Sequence, residues 1–281
     1  MEKKNYFVLN NGVHIPSLGF GTWELPEEEA ETVIAWAVKA GYRHIDTAAS
    51  YRNEKGVGRA VRNSGLKREE LFVTSKLWNK HRGYEKTKKA FDSSLKALGL
   101  EYLDLYLIHW PAVEKQFSNW EEINAETWRA MEELYEEGKI RAIGLSNFLP
   151  KHIDALLKTA KIMPMVDQIE FHPGFAQIEC LEYCKAHQIV TEAWSPLGRG
   201  DVLNHESLAK LSEKYHKSPA QLCIRWVMQY GALPLPKSVH ENRIMENIDV
   251  FDFTISPEDM AIIDKIPYCG GLGLNPETVR F

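Results

Sequence analysis

Four residues that can bind or transfer a proton lie at or just after apolar stretches in the first half of the chain. Asp46 ends the stretch "YRHID", Lys76 ends "LFVTSK" and His109 ends "LDLYLIH", while Tyr51 follows Asp46 by five residues. A buried lysine needs a counter-charge, which an aspartate on an adjacent strand can supply. A phenol beside that ammonium is expected to have a pKa below its usual value of about 10, so Tyr51 is predicted to donate a proton near neutral pH.

Together these four side chains favour one kind of reaction. His109 can hydrogen-bond a substrate oxygen and orient it, and Tyr51 can protonate that oxygen as negative charge grows on it. The set contains neither an activated nucleophile nor a group of metal ligands, so we predict no metal site. Reduction of a carbonyl to an alcohol, with hydride from a cofactor, fits these residues.

Each of the four residues also has an ordinary structural interpretation. Asp46 could cap a helix or a turn, and Tyr51 could pack its ring at a rim. Lys76 could be a solvated charge, and His109 could be a hydrogen-bonded core residue. Their joint occurrence favours chemistry, because the second, third and fourth strands of a barrel are neighbours.

A repeated strand–helix alternation has to position these residues. Eight short, mostly apolar stretches are each followed by a helical pattern, as expected for parallel strands covered by helices. Eight such units in about 260 residues predict one (β/α)8 TIM barrel domain over residues 1–281, with its active site at the C-terminal ends of the strands. A doubly wound sheet is the alternative, although it normally has fewer strands at this length. The eight stretches are "SLGFG", "YRHID", "LFVTSK", "LDLYLIH", "IRAIGLS", "MVDQIEF", "IVTEAWS" and "ALPLPK".

Both ends of the chain add to the predicted barrel. The stretches "YFVLN" and "VHIP" flank Asn11-Gly12, which predicts an N-terminal β-hairpin with a type I′ turn. After the eighth strand, "HENRIMENI" and "SPEDMAIIDKI" predict C-terminal helices, and the Gly-rich "YCGGLGLNPETVRF" predicts a short loop.

Composition excludes several classes of protein. The 281 residues are 44% apolar, which suffices for a large core, and the net charge of −5 is spread along the chain. No polybasic face for nucleic acid, signal peptide or membrane span is visible, so we predict a soluble, cytoplasmic protein. The cysteines show no CxxC pair, and we predict neither a disulfide nor a zinc site. They are Cys180, Cys184, Cys223 and Cys269.

The whole chain, from the hairpin to the tail, resembles the aldo-keto reductases. Long motifs of that family are present in order as "GYRHIDTAASYRNEKGVGRAV", "YLDLYLIHWP", "GKIRAIGLSNF", "EAWSPLGRG" and "LPKSVHENRIMEN". Among members, the chain is most similar to the short bacterial type that reduces glyoxal, methylglyoxal and related small aldehydes, and to the 2,5-diketo-gluconate reductases. The resemblance implies an NADP(H)-dependent aldehyde reductase that reduces small carbonyl compounds, with keto-sugars as further candidates, and works as a monomer.

The resemblance also implies roles for individual residues. The catalytic tetrad of the family falls on Asp46, Tyr51, Lys76 and His109. The cofactor is NADPH, bound extended across the barrel mouth without a Rossmann fold, and the chain has no complete GxGxxG. From the nicotinamide to the adenosine end, the implied contacts are Gly21, Thr22, Trp23, Asp46, Ser146, Asn147, Gln168, Trp194, Ser195, Pro196, Leu197, Gly198, Lys237, Ser238, Val239, Arg243, Glu246 and Asn247.

Within this set, Ser146, Asn147 and Gln168 are expected to hold the carboxamide. Trp194 is expected to stack on the nicotinamide ring, where many members have tyrosine. Residues 195–198 would run along the pyrophosphate. Residues 237–239 would reach the 2′-phosphate and Arg243 the adenine, while His240 stands where several members have Thr or Ser.

Tryptophans and a short C-terminal loop define the expected substrate pocket. The short tail implies an open pocket that does not select a large substrate tightly, and three other tryptophans on helices, Trp36, Trp128 and Trp226, are expected in the core. The implied substrate contacts are Trp23, Tyr51, Trp78, His109 and Trp110.

Two other functions remain open from the sequence. The same superfamily includes channel-associated subunits and lens structural proteins, so the chain could be a cofactor-binding regulatory or structural protein. It could also be a barrel isomerase that needs no nicotinamide cofactor. Consumption of NADPH with methylglyoxal distinguishes the first alternative, and quenching of NADPH fluorescence on binding distinguishes the second.

Overall fold

Ten strands and ten α-helices follow one another along residues 6–280, the part of the chain that the computed structural model describes. The strands are β1 (Tyr6–Val8), β2 (His14–Pro16), β3 (Phe20–Gly21), β4 (His44–Asp46), β5 (Phe72–Leu77), β6 (Leu103–Ile108), β7 (Ile140–Ser146), β8 (Val166–Glu170), β9 (Val190–Trp194) and β10 (Leu233–Leu235). The helices are α1 (Ala30–Ala40), α2 (Glu54–Arg62), α3 (Tyr84–Leu98), α4 (Trp120–Glu136), α5 (Pro150–Leu157), α6 (Ile178–Ala186), α7 (Glu206–Tyr215), α8 (Pro219–Gln229), α9 (Glu241–Ile248) and α10 (Pro257–Ile263).

Strands β3 to β10 form the predicted parallel barrel. Each strand pairs with the next one along the chain, in the order β3 to β10. The two ends of the sheet meet, because the N–H groups of Gly19 and Gly21 donate to the carbonyls of Pro234 and Pro236 at 3.0 Å. The (β/α)8 prediction is confirmed, and a doubly wound sheet is excluded by this sequential order and closure.

The N-terminal hairpin is confirmed, but its turn differs from the prediction. Strands β1 and β2 pair antiparallel, and Gly12 has a φ of 86° while Asn11 does not have a positive φ. A type I′ turn requires positive φ at both residues, so that prediction was wrong. The Asn11 side chain explains the difference, because its Oδ1 accepts from Val13 N at 3.1 Å and its Nδ2 donates to Arg141 O at 2.9 Å. These bonds dock the hairpin beside the start of β7, at the end of the barrel opposite the C-terminal ends of the strands.

The helices cover the barrel with their apolar faces, as the periodicity predicts. In α1 the buried residues recur at helical spacing, and the helix ends at Gly41, whose φ of 112° favours glycine. Trp128 and Trp226 are buried as expected. Trp36 is only partly buried against the core, so its assignment as a core residue was wrong. The buried residues of α1 are Ala30, Val33, Ile34, Ala37 and Val38.

None of the helices within residues 6–280 combines the length and the apolar character needed to cross a membrane. All four cysteines are free thiols, and Cys180, Cys184 and Cys223 are buried.

Candidate active site

A buried ion pair lies at the C-terminal end of the first strands of the barrel. The Lys76 Nζ atom on β5 donates to Asp46 Oδ1 on β4 at 2.6 Å and to Thr47 O at 3.0 Å. The Lys76 side chain is fully buried and Asp46 is 3% exposed. Burial lowers the pKa of Lys76, but Asp46 and Tyr51 together raise it by more, so its pKa lies above the usual value. The lysine is therefore a fixed positive charge.

Tyr51 lies beside this charge, in a short 3₁₀ turn after β4. Its hydroxyl accepts a hydrogen bond from Lys76 Nζ at 3.2 Å. Burial raises the pKa of Tyr51, and the charge of Asp46 raises it further. The charge and hydrogen bond of Lys76 lower the pKa, but the net result lies above the usual value. The expected lowering of the pKa was therefore wrong, because desolvation outweighs the neighbouring charge. Tyr51 therefore keeps its proton at neutral pH, and the Lys76 ammonium lies where it would stabilise a phenolate at this position.

His109 completes the group that the sequence predicts. Its ring lies edge-on to those of Tyr51 and Trp78, with centroids 5.7 and 5.5 Å apart, and its Nδ1 lies 3.4 Å from Ser50 Oγ. Burial lowers the pKa of His109 well below its usual value, and Lys76 adds to the effect. The imidazole is therefore neutral at physiological pH and can hydrogen-bond an oxygen in the cleft without carrying charge.

A second hydrogen-bonded group adjoins the first on β7, β8 and β9. Gln168 Nε2 donates to Asp46 Oδ2 at 2.9 Å and to Glu192 Oε2 at 2.7 Å. Asn147 Nδ2 donates to His109 O, and Asn147 Oδ1 accepts from Trp194 Nε1, both at 2.9 Å. Asn147 holds a φ of 62°, a conformation that is strained for a residue other than glycine and common at functional sites. These bonds position amide and indole groups next to the ion pair.

One cleft of about 1100 Å³ contains most of the predicted residues. Two predicted cofactor contacts, Thr22 and Gly198, do not line it. Thr22 is fully buried and donates to Asp46 O at 2.9 Å, so it supports the aspartate instead. Lys76 lies beneath the cleft floor. The predicted residues that line the cleft are Gly21, Trp23, Asp46, Tyr51, Trp78, His109, Trp110, Ser146, Asn147, Gln168, Trp194, Ser195, Pro196, Leu197, Lys237, Ser238, Val239, Arg243, Glu246 and Asn247.

Two basic residues of the predicted cofactor site, Lys237 and Arg243, line the cleft. Lys237 is partly buried and its Nζ donates to Glu24 O at 3.3 Å. Burial lowers the pKa of Lys237, although Glu24 opposes this. Arg243 is exposed and Ser238 is buried, 8% exposed. Glu246 accepts from Ser218 Oγ, so one of its oxygens is already in use.

Sequence reasoning missed several residues of the cleft. Arg199 Nη2 lies 3.2 Å from Glu24 Oε2, and the guanidinium lies 4.6 Å from the ring centre of Trp23, which links two loops over the cleft. Leu272 and Leu274 line the cleft from the Gly-rich tail. No local motif marks the Glu24–Arg199 pair, whereas apolar residues within a Gly-rich tail could have signalled a wall of the pocket.

The comparison with protein families agrees with this geometry. Residues 17–267 match the model of the aldo/keto reductase family. The chain belongs to the aldo/keto reductase family. Within residues 6–280 of this aldo/keto reductase, no three His, Cys, Asp or Glu side chains are grouped so that they could hold a metal ion.

Individual aldo/keto reductases match over almost the whole chain. The glyoxal reductase of Bacillus subtilis (strain 168) is 50% identical over 279 residues, covering 99% of this chain and 98% of the relative. The methylglyoxal reductase DkgA of Escherichia coli (strain K12) is 41% identical over 281 residues, covering 99% and 98%. A solved structure of a Gox0644 mutant in complex with NADPH has a TM-score of 0.90 and 40% identity, covering 98% of each chain. The present chain is thus an oxidoreductase of this family.

Proposed function

We propose that this aldo/keto reductase uses NADPH to reduce small aldehydes and dicarbonyl compounds of the glyoxal and methylglyoxal type, with keto-sugars as further substrates. One observation carries the proposal. The Tyr51 hydroxyl lies 3.2 Å from a lysine ammonium that Asp46 holds at 2.6 Å, on the floor of the cleft beside a neutral His109. This arrangement suits protonation of a carbonyl oxygen.

The cleft supports NADPH as the cofactor. Its volume of about 1100 Å³ far exceeds what a small aldehyde needs. Lys237 and Arg243, which line the cleft, suit a phosphate group, since charge-assisted hydrogen bonds to phosphate are strong. Trp194 supplies an aromatic face, and Asn147 and Gln168 supply amides near the ion pair. When bound, NADPH supplies the hydride.

The chain's own residues handle the proton. Tyr51 donates its hydroxyl proton to the carbonyl oxygen as negative charge develops there, and Lys76 stabilises the phenolate that remains. Asp46 and Thr47 O hold Lys76 in place, so little reorganisation is needed during the reaction. His109 donates a hydrogen bond to the same oxygen and orients the carbonyl. Tyr51 regains its proton from solvent after the alcohol leaves.

The proposed substrate class rests on the walls of the cleft and on the relatives. Trp23, Trp78 and Trp110 line the cleft and offer apolar surface with few polar groups. Relatives at 50% and 41% identity carry the names glyoxal reductase and methylglyoxal reductase. A small carbonyl compound with little polar surface suits such a pocket.

A panel of NADPH oxidation assays tests this function. Glyoxal, methylglyoxal, aromatic aldehydes, aldoses and keto-sugars are compared by kcat/KM, with NADH in place of NADPH as the cofactor control. We expect higher kcat/KM values for the dicarbonyl compounds than for the aldoses, and higher values with NADPH than with NADH. If NADPH oxidation with glyoxal and methylglyoxal does not exceed the rate without enzyme, the proposed function is wrong.

A further inference from the structure

A buried carboxylate at the end of β8 binds the C-terminal tail through its backbone. Glu170 is 1% exposed. Its Oε1 accepts from Leu272 N at 2.6 Å and its Oε2 from Gly273 N at 2.8 Å. His172 Nε2 lies 3.4 Å from Oε1, and no lysine or arginine among residues 6–280 forms an ion pair with Glu170. Two consecutive backbone N–H groups therefore take the place of a basic side chain, as in other anion-binding nests.

The tail loop (residues 269–274) fits this carboxylate closely. Gly270, Gly271 and Gly273 have φ values of 80°, 74° and 56°, which favour glycine. A Cβ atom on Gly271 would lie 2.3 Å from both Glu170 Oε1 and His172 Nε2. Gly271 N also donates to Gly198 O at 2.9 Å. Only a glycine at position 271 allows the loop to approach Glu170 this closely.

The tail loop carries two apolar side chains into the cleft. Leu272 and Leu274 both line it, and Leu272 is 38% exposed there. A leucine held in an open cleft by a buried anchor has apolar surface available for a ligand. The bonds to Glu170 begin at Leu272 itself, so the carboxylate determines directly where this side chain stands.

We propose that Glu170 is a positioning residue for substrate selection. It holds the tail loop so that Leu272 and Leu274 form an apolar wall against the non-reacting part of the substrate. The wall favours carbonyl compounds that carry an aromatic or alkyl group over glyoxal, which has none. This inference rests on the proposed function for its substrate readout, while the loop anchoring can be measured without any activity.

The first test compares Glu170→Gln with a matched control. Gln keeps the shape but places an N–H₂ group where a carboxylate oxygen accepted. The control is Glu132→Gln, because Glu132 is also buried but does not line the cleft. Its carboxylate likewise accepts hydrogen bonds from two consecutive backbone amides, Lys161 N at 2.6 Å and Ile162 N at 2.8 Å. We expect Glu170→Gln to lower the ratio of kcat/KM for phenylglyoxal to that for glyoxal about five- to twentyfold, mainly through KM.

Glu132→Gln is expected to leave that ratio within twofold of the wild type, and neither change should alter the NADPH dissociation constant more than twofold. If Glu170 has a purely structural role, Glu170→Gln would lower kcat/KM for both substrates by the same factor, or would lower kcat and leave KM unchanged. An equal loss for phenylglyoxal and glyoxal in Glu170→Gln would overturn the selection role.

The second test measures the loop directly by hydrogen–deuterium exchange. We expect the peptide that contains residues 270–274 to exchange faster in Glu170→Gln and in Gly271→Ala, which breaks the contact from the loop side, but not in Glu132→Gln. Gly271→Ala decides the question if Glu170→Gln does not fold. If this peptide exchanges at the wild-type rate in both variants, Glu170 does not anchor the loop. If the wild-type protein reduces neither phenylglyoxal nor glyoxal, only the proposed function is refuted.

Discussion

At the scale of single residues, we propose that Tyr51 and Lys76 act as one acid–base unit. The phenol has a raised pKa because it is buried, and the lysine compensates only in part. A donor of this kind holds its proton until the substrate oxygen becomes basic, and the ammonium 3.2 Å away then stabilises the phenolate. Neither group can perform its role alone, so their contributions to catalysis are expected to be coupled.

A double-mutant cycle measures that coupling. Tyr51→Phe removes the proton donor, and we expect kcat/KM for methylglyoxal to fall about 10²- to 10⁴-fold. Lys76→Met should lower kcat/KM by a comparable factor. The kcat/KM of the double mutant should be only slightly below that of either single mutant. Tyr42→Phe is the control, because Tyr42 is buried and its hydroxyl has no hydrogen-bond partner among residues 6–280. If the losses in kcat/KM of the two single variants add up in the double mutant, Tyr51 and Lys76 do not act as one unit.

The pH dependence follows from the directions of the pKa shifts. The pKa of His109 is lowered by burial, so the imidazole stays neutral well below pH 6.5 and no inflection from its protonation is expected between pH 6 and 7. The pKa of Tyr51 is raised, so its proton is lost only above about pH 10. We expect log kcat/KM to show no inflection from His109 or Tyr51 between pH 6 and 9 and to fall beyond pH 10. Burial raises the pKa of the neighbouring Glu192 to about 8, so Glu192→Gln is the control. A decline below pH 7 that persists in Glu192→Gln would indicate a charged His109.

At the scale of elements, we propose that the loop after β10 and the start of α9 determine the choice between NADPH and NADH. This segment places Lys237, Ser238 and Arg243 along the wall of the cleft. NADPH differs from NADH there by one phosphate with a charge of about −1.5 to −2. A helix start with adjacent cations suits such a group, because its free N–H groups and positive dipole end favour anions.

Lys237→Ala tests this assignment. We expect the NADPH dissociation constant to rise about ten- to a hundredfold, while that of NADH changes far less. Arg243→Ala should weaken both cofactors somewhat, since the side chain is also expected to cover the adenine. The measurement is a fluorescence titration with both cofactors at two salt concentrations, with the exposed Lys158→Ala as control. Equal weakening of NADPH and NADH by Lys237→Ala would rule out the 2′-phosphate contact.

At the scale of the whole molecule, the barrel holds the site through a tightly packed interior. Gly144 on β7 pairs with Leu107 on β6. A Cβ atom at position 144 would lie 2.6 Å from Val166 O and 2.8 Å from Leu107 Cδ2. Because a carbonyl in a strand cannot move away freely, an added methyl group must push β7 and β8 apart.

Gly144→Ala should therefore destabilise the fold although alanine suits most strands better than glycine. We expect the free energy of unfolding to fall by about 1–3 kcal/mol, the usual cost of an overpacked core. Urea unfolding followed by circular dichroism measures the change, with the exposed Lys55→Ala as a surface control expected within about 0.5 kcal/mol. A variant as stable as the wild type would show that β7 and β8 separate at little cost.

Much of this architecture and of the site could be read from local sequence patterns. Asp46, Lys76 and His109 each end or follow an apolar strand, and the parallel barrel brings the ends of neighbouring strands together. The eight strands and the helices between them follow from residue periodicity, which depends only on near neighbours. The long motifs carried the family resemblance for the same reason, since each joins the end of one strand to the loop that follows it, and two of them continue into the next helix.

Other properties depended on contacts between distant residues. Desolvation of the partly buried Tyr51 reversed the expected direction of its pKa shift, because desolvation comes from atoms throughout the fold. Asn11 left the predicted turn type because its side chain binds Arg141 O, 130 positions away. The Glu24–Arg199 pair and the bonds from Glu170 to residues 272 and 273 join segments more than 100 residues apart. Local patterns determined which residues could do the chemistry, whereas the tertiary structure decided their protonation and the walls around them, because desolvation and contact arise only when the chain is packed.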